Sequence, residues 1–313
     1  GRYIEYVYQI KGDDNMLKYD VNMVGMDQIM DTRTGEMYLN WSVNAPNQEK
    51  SLKSQREVTT IFYKYSGEDV DDLAATSDEK EDYEASIKWV SLKQQFFNTA
   101  IIADDYFDKS RAYAETVTDE ASEDYVKRMS TALTIPINGS KIESFGMSIY
   151  LGPNDYDLLD QYDNGLQDII NLGWGIFGWV NKFAVIPVFD FLDGFDMSYG
   201  IIILILTILL KLVLMPITYK TYLSGAKMRV LKPEITELNE KHKDDAMKKQ
   251  QATMALYRQT GVNPLSGCIP MLIQMPILIA MFRFFPASIQ LRQESFLWAD
   301  DLSSYDSIYN FPE

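Results

Sequence analysis

Cysteine and histidine are nearly missing from this sequence: Cys268 and His242 are the only ones in 313 residues. One cysteine allows no internal disulfide and no thiolate metal cluster. One histidine, outside residues 1–198, removes imidazole acid–base chemistry from that part of the chain and most metal sites from all of it. No Gly-x-x-x-x-Gly-Lys-Ser/Thr loop occurs, so no nucleotide-driven device is expected. Basic residues are scarce over 1–198, where 17 Lys and Arg face 35 Asp and Glu. Such an acidic balance argues against a nucleic-acid partner. A signal peptide is lacking too. The chain starts at Gly1 within a strand-like run and stops at Glu313 just after an apolar segment, so both ends read as cuts. Neither cofactor nor metal is expected.

Against these absences stands one stretch. Tyr199–Ile217 runs 19 residues with a single charge, Lys211. At ~1.5 Å per residue it reaches roughly across a bilayer core of about 30 Å. A lysine near the centre of such a helix costs ~2.5–3.5 kcal/mol on insertion scales, so it has to face water, a partner or a polar cavity. A structural ion pair is the plain alternative. Residues 218–259 carry 9 Lys and Arg against 5 Asp and Glu. The positive-inside rule therefore puts them in the cytoplasm and the acidic residues 1–198 outside.

The outer part reads as strands. Tyr3–Ile10, Tyr38–Val43, Val58–Tyr65, Tyr125–Ile137 and Ile142–Leu151 are rich in aromatic and β-branched residues, and residues 87–103 pass from strand to turn to strand. No helix-period pattern interrupts them, and many short strands point to a β-sandwich. Residues 67–86 are acidic and read as a solvated loop, and 155–172 as a partly helical lead-in. Residues 174–195 hold Trp174, Trp179 and five phenylalanines with three charges. They read as an amphipathic interfacial helix with Phe177, Val180, Ala184, Val188 and Phe191 on one face.

After the first spanning helix, residues 218–241 and 244–260 read as an antiparallel helical pair. Asp244 or Asp245 caps the second helix, Gly261 ends it and Pro264 forbids continuation. Residues 267–285 form a second spanning helix, with Pro270 and Pro276 around Gln274 and with Arg283 free to snorkel. Leu291–Phe311 is an outer loop in which Trp298 and Tyr305 suit an interface.

Three runs carry a family resemblance: Ala226-Lys227-Met228-Arg229-Val230-Leu231-Lys232-Pro233, Met254-Ala255-Leu256-Tyr257, and Val262-Asn263-Pro264-Leu265-Ser266-Gly267-Cys268-Ile269-Pro270-Met271-Leu272-Ile273-Gln274-Met275-Pro276. With Leu291–Phe296 and Trp89–Ala100 they resemble the YidC family of membrane-protein insertases, most closely over 198–302. The resemblance implies a membrane protein of α+β class. A periplasmic β-sandwich is followed by an interfacial helix, two transmembrane helices and a cytoplasmic helical hairpin. The domains fall at 1–172 (sandwich), 173–197 (interfacial helix), 198–217 (transmembrane), 218–262 (hairpin), 263–286 (transmembrane) and 287–313 (periplasmic loop). The family arranges five core helices around a hydrophilic groove open to the cytoplasm and the lipid. Two of the five are expected here, too few to close the groove alone.

The family's groove arginine falls on Lys211, which keeps the charge but loses the bidentate fork. Thr207, one turn earlier, shares its face. Substrate-helix contacts carry over to Ile269, Leu272, Gln274 and Met275. The implied function is non-enzymatic: insertion and folding of nascent membrane proteins in the bacterial inner membrane, with the ribosome, the Sec translocon and lipids as partners. A membrane-anchored docking module is a second reading. A mutarotase-like enzyme is a third, set against by the missing histidine.

Overall fold

The computed structural model describes residues 1–30, 35–241, 243, 245–261 and 269–306. It divides into two units. The first holds residues 1–170, 287–293 and 300–306 and is built of strands: β1 (Tyr3–Ile10), β2 (Met16–Val24), β3 (Glu36–Pro46), β4 (Thr60–Tyr65), β5 (Val70–Asp72), β6 (Glu79–Asp82), β7 (Ile87–Lys93), β8 (Phe97–Val117), β9 (Tyr125–Pro136) and β10 (Ile142–Pro153). All described pairings are antiparallel. One sheet runs β1-β2-β10-β8-β7-β4-β5; the other joins β3, β9, the far half of β8 and β6.

β8 makes the two sheets one fold. Its first half pairs with β7 and β10, its second with β9 and β6. Between them the register shifts at Asp108–Tyr113, where Arg111 adopts φ 54. An irregularity of this kind lets a strand bend and change sheets. Residues from both sheets, among them Ile61, Val90, Ile101, Phe107, Met129 and Leu133, form one buried cluster. Burying each such side chain contributes roughly 1.5–3 kcal/mol.

The Trp89–Ala100 run is the β7–β8 hairpin. Trp89 is buried and its indole N–H donates to Asn164 O at 3.0 Å. Asn98 donates to Asn154 Oδ1 at 2.7 Å, and Asn154 donates to Gln94 O and Gln95 O at the turn. A closed network of buried amides explains this run as architecture, since a buried polar group needs a partner.

Several expectations change here. β2 falls within residues 1–66, which read as strands, but at a run that the aromatic and β-branched pattern does not single out: its methionines and charges hide an alternation in which Leu17, Tyr19, Val21 and Met23 share one face. β8 runs 21 residues, well past residue 103. Residues 67–86 are not all loop, because acidic β5 and β6 form sheet edges, where charges are tolerated. A short helix, α1 (Leu52–Arg56), does interrupt the strands, capped by Ser51, which accepts from Ser54 N. The lead-in is helical at α2 (Tyr156–Asp160), as expected.

The second unit, residues 171–286 and 294–299, is helical. α3 (Ile176–Val180), a π-turn at Asn181–Val185 and α4 (Ile186–Asp193) form one run. The π-turn rotates the face expected for this segment: Asn181, Val185, Ile186, Phe189 and Leu192 are buried, while Trp179, Phe183 and Phe191 are exposed. α5 (Tyr199–Lys241) is continuous for 43 residues, through Pro216 and Pro233. The helix expected to end at Ile217 therefore runs on into the first arm of the expected hairpin. A proline inside a helix removes one backbone bond without ending it when good formers follow.

α6 (Ala246–Thr260) begins at Asp245, whose carboxylate accepts from Lys248 N at 3.0 Å, and ends at Gly261 with φ 65. Asp244, His242, Pro264 and Cys268 lie outside the described residues. α7 (Ile269–Ala287) is 19 residues long and contains Pro276 and Pro286.

Candidate functional site

α5 is nearly all aliphatic in its first half, and that half is mostly bare. Its most apolar 18-residue window has a mean hydropathy of 2.7, yet 17% of the window is buried. A core helix of a water-soluble fold would be mostly covered. Coverage is confined to one end. Gly200, Ile202 and Leu206 are buried, whereas Ile208, Leu209, Leu212, Val213 and Met215 are exposed. α7 repeats the pattern: Ala280 and Phe284 are buried, Met271, Leu272 and Met275 exposed.

One aromatic cluster holds the covered ends. The Phe189 ring stacks on Tyr199 at 5.9 Å and meets Phe284 edge-on at 5.2 Å. Asn181, fully buried in the π-turn, donates to Leu172 O at 2.7 Å and Ala280 O at 2.8 Å. Its Oδ1 has no partner among the described residues. The helical run 176–193 is thus bonded to α7 and stacked on both α5 and α7.

Lys211 and Thr207 lie in the bare half of α5. Thr207 donates its hydroxyl to Ile203 O at 2.8 Å, which leaves the oxygen free to accept. Lys211 is exposed, and among the described residues no carboxylate pairs with it. On α7, Gln274 is half-buried, and Leu272 and Met275 are exposed. The side chain of Ile269 is outside the described residues. Lys211 lies 12 residues past Tyr199, and Gln274 lies 10 before Phe284. Along each helix those are about 18 and about 15 Å from the shared aromatic cluster. Two polar side chains thus stand at similar distances from it, on different helices, with no hydrogen bond described between them.

The strongly perturbed titrating groups outside the apolar helices are structural. Burial lowers the Lys93 ammonium to about 8, opposed by the nearby Asp72 carboxylate. Its Nζ donates to Val58 O at 3.3 Å. Lys127, also lowered by burial, donates to Ala75 O and Thr59 O. Neither ammonium pairs with an acid in a cleft, as general acid–base work would need. Among the described residues no group of three or more His, Cys, Asp or Glu could hold a metal.

Two family models match this chain in tandem. Residues 1–185 match the YidC periplasmic domain, and residues 191–312 match the 60Kd inner membrane protein family. The chain belongs to the YidC family. It is 40% identical over 321 residues to the membrane protein insertase YidC of Parabacteroides distasonis, covering 99% of this chain and 50% of that protein. The insertase of the same name from Bacteroides fragilis is 41% identical over 318 residues, and that of Porphyromonas gingivalis 38% over 322, each with 99% of this chain and 51% of the relative covered. The chain spans about half the length of the curated relatives it matches. It has the make-up of a membrane protein, with a sheet-rich periplasmic domain followed by a long apolar helix. Thr207, Lys211, Leu272, Gln274 and Met275 all fall within the YidC-family membrane match.

Sequence reasoning passed over two residues of this unit. Asn181 sits in an aromatic run, and a lone amide there is the signal for a buried cap. Gly200 is the other, because the Phe296 ring sits directly against it.

Proposed function

We propose that the whole protein is a membrane insertase and folding chaperone of the bacterial inner membrane. It moves hydrophobic segments of nascent proteins into the bilayer through a hydrophilic groove, alone or with the Sec translocon. The supporting observation is that the apolar stretch of α5 is mostly bare and that Lys211, its one cation, is exposed with no carboxylate paired to it among the described residues. In this reading residues 198–217 and 263–286 span the membrane, 173–197 lie in the outer interface, and 218–262 form a cytoplasmic hairpin that receives substrate from the ribosome. Residues 287–313 are periplasmic.

Lys211 acts as the groove cation and Thr207 as an adjacent acceptor. A short polar, often acidic tail of the substrate enters from the cytoplasm. Lys211 and water stabilise it part-way across, which lowers the desolvation barrier that lipid alone imposes. The apolar substrate helix slides along the bare side of α7, past Ile269, Leu272, Gln274 and Met275. Membrane potential favours outward transfer of a negative tail by ~2.3 kcal/mol per charge per 100 mV. No bond is made or broken, so the protein acts as a chaperone rather than an enzyme.

The test uses the full-length parent and a small single-spanning substrate with an acidic tail. Lys211→Arg is expected to insert it normally, Lys211→Ala to slow insertion, and Lys211→Glu to slow it most. Normal insertion by all three would refute a role for the charge.

A further inference from the structure

We propose that the turn Phe296–Ala299 is a lipid anchor: Phe296 clamps the start of α5, while Leu297 and Trp298 insert into the headgroup region of the outer leaflet. The inference rests on α5 being a spanning helix and adds a contact beyond the groove.

The turn is closed by two reciprocal backbone bonds, Phe296 N to Ala299 O at 2.9 Å and Ala299 N to Phe296 O at 3.0 Å. Two residues are left at the tip. Leu297 adopts φ 56, a conformation that favours glycine in such turns. A leucine held there has a use for its side chain beyond closing the turn. Leu297 is 77% and Trp298 81% exposed. The Phe296 ring points the other way. A Cβ placed on Gly200 would lie 2.0 Å from a Phe296 ring carbon, so the ring sits directly against the α5 backbone.

That contact sets the level of the tip. Gly200 is the second residue of α5, where the apolar helix begins, and Ile201 and Leu204 just beyond it are exposed. Leu297 and Trp298 thus stand beside the first turn of the apolar helix, level with the exposed Ile201 and Leu204, the depth at which tryptophan partitions best in a bilayer. A rigid exposed Leu-Trp tip adjoining such a surface is a contact site, since soluble surfaces seldom display contiguous apolar groups. Lipid is the occupant that covers the tip and α5 together. Glu294–Asp301 contains no lysine or arginine. Insertion is therefore apolar and insensitive to salt, unlike attachment through basic residues.

The experiment uses the full chain with Cys268→Ser and one nitroxide-labelled cysteine, in phosphatidylethanolamine–phosphatidylglycerol vesicles. Collision rates with oxygen and with a water-soluble nickel chelate report depth. Trp298→Cys is compared with Val213→Cys on bare α5 and Val117→Cys on the strand unit. The label at 298 is expected to be several-fold less accessible to nickel than that at 117, shallower than that at 213, and unchanged in high salt. Nickel accessibility at 298 equal to that at 117, with 213 still in lipid, would overturn the anchor alone. Water-like behaviour at 213 as well would overturn the membrane reading beneath it. Spin–spin broadening at 298 between labelled copies would assign the tip to a second copy and also refute the proposal.

Discussion

Two buried polar side chains show what single residues do here. Asn181 donates to the Leu172 carbonyl ahead of the π-turn and to the Ala280 carbonyl on α7, and each bond contributes about 1 kcal/mol net. Asn181→Leu should lower the stability of the helical unit by roughly 2–3 kcal/mol, since both carbonyls lose a donor. Asn181→Asp should be worse, because a carboxylate would face two acceptors in a dry site. Thermal unfolding in detergent, followed by protease sensitivity of residues 171–199, measures both. Lys93 makes a pH prediction. Its folded pKa is lowered to about 8 from 10.5, so between those values the unfolded chain binds more protons and stability rises with pH. Above 10 the trend reverses. Burial holds the Tyr63, Tyr83 and Tyr150 hydroxyls above their ordinary range, so the unfolded chain ionises first. The melting temperature of the strand unit should peak near 10. Lys93→Met should flatten the rise, a difference of about 2–3 kcal/mol between neutral and peak pH.

At the scale of elements, the segment after α7 is not a free loop. Arg292 pairs with Glu49 at 2.8 Å and lies over the Phe97 ring, and both charged side chains are largely covered. Gln290 donates to Asp155, and Lys50 donates to Tyr305 O at 2.7 Å. These bonds make residues 287–293 and 300–306 part of the strand unit. Arg292→Ala should release the strap at a cost of about 1–3 kcal/mol, because it leaves the largely covered Glu49 carboxylate without its partner. Hydrogen exchange at Leu291 and Arg292 should speed up severalfold while exchange in β7 stays slow. Equal acceleration in both would mean that the pair supports the whole unit instead. The helical elements carry a second lesson. Proline inside α5 reads locally as a stop, yet the helix continues, because one missing backbone bond is a small loss in 43 residues.

At the scale of the whole molecule, two units of opposite character lie on one chain. The strand unit is closed: its core is shared between two sheets, and the buried Asn98 and Asn154 amides and the Lys93 and Lys127 ammoniums are bonded. The helical unit is open: the apolar half of α5 and the helix α7 are covered at one end and mostly bare beyond it. Water would drive such surfaces together, whereas lipid leaves them stable apart, which is why the long apolar stretch of α5 suits a membrane.

By itself the sequence determined the two characters and their order. Local chemistry is enough for that: 19 nearly uncharged residues ask for lipid, alternating β-branched and aromatic runs ask for a sheet, and Asp245 and Gly261 bound α6 wherever it lies. It also put the single cation of the apolar stretch at Lys211. Tertiary structure alone decided the rest. That β8 would serve both sheets depends on a bulge at 108–113, where pairing with β9 outweighs local preference. That Asn181 would turn inward depends on the π-turn, which rotates the face read from regular helical spacing. That Phe296 would meet Gly200 depends on contact between residues far apart in the chain. Periodicity describes an element's own faces, but which face is covered is set by what packs there, and that energy lies between elements.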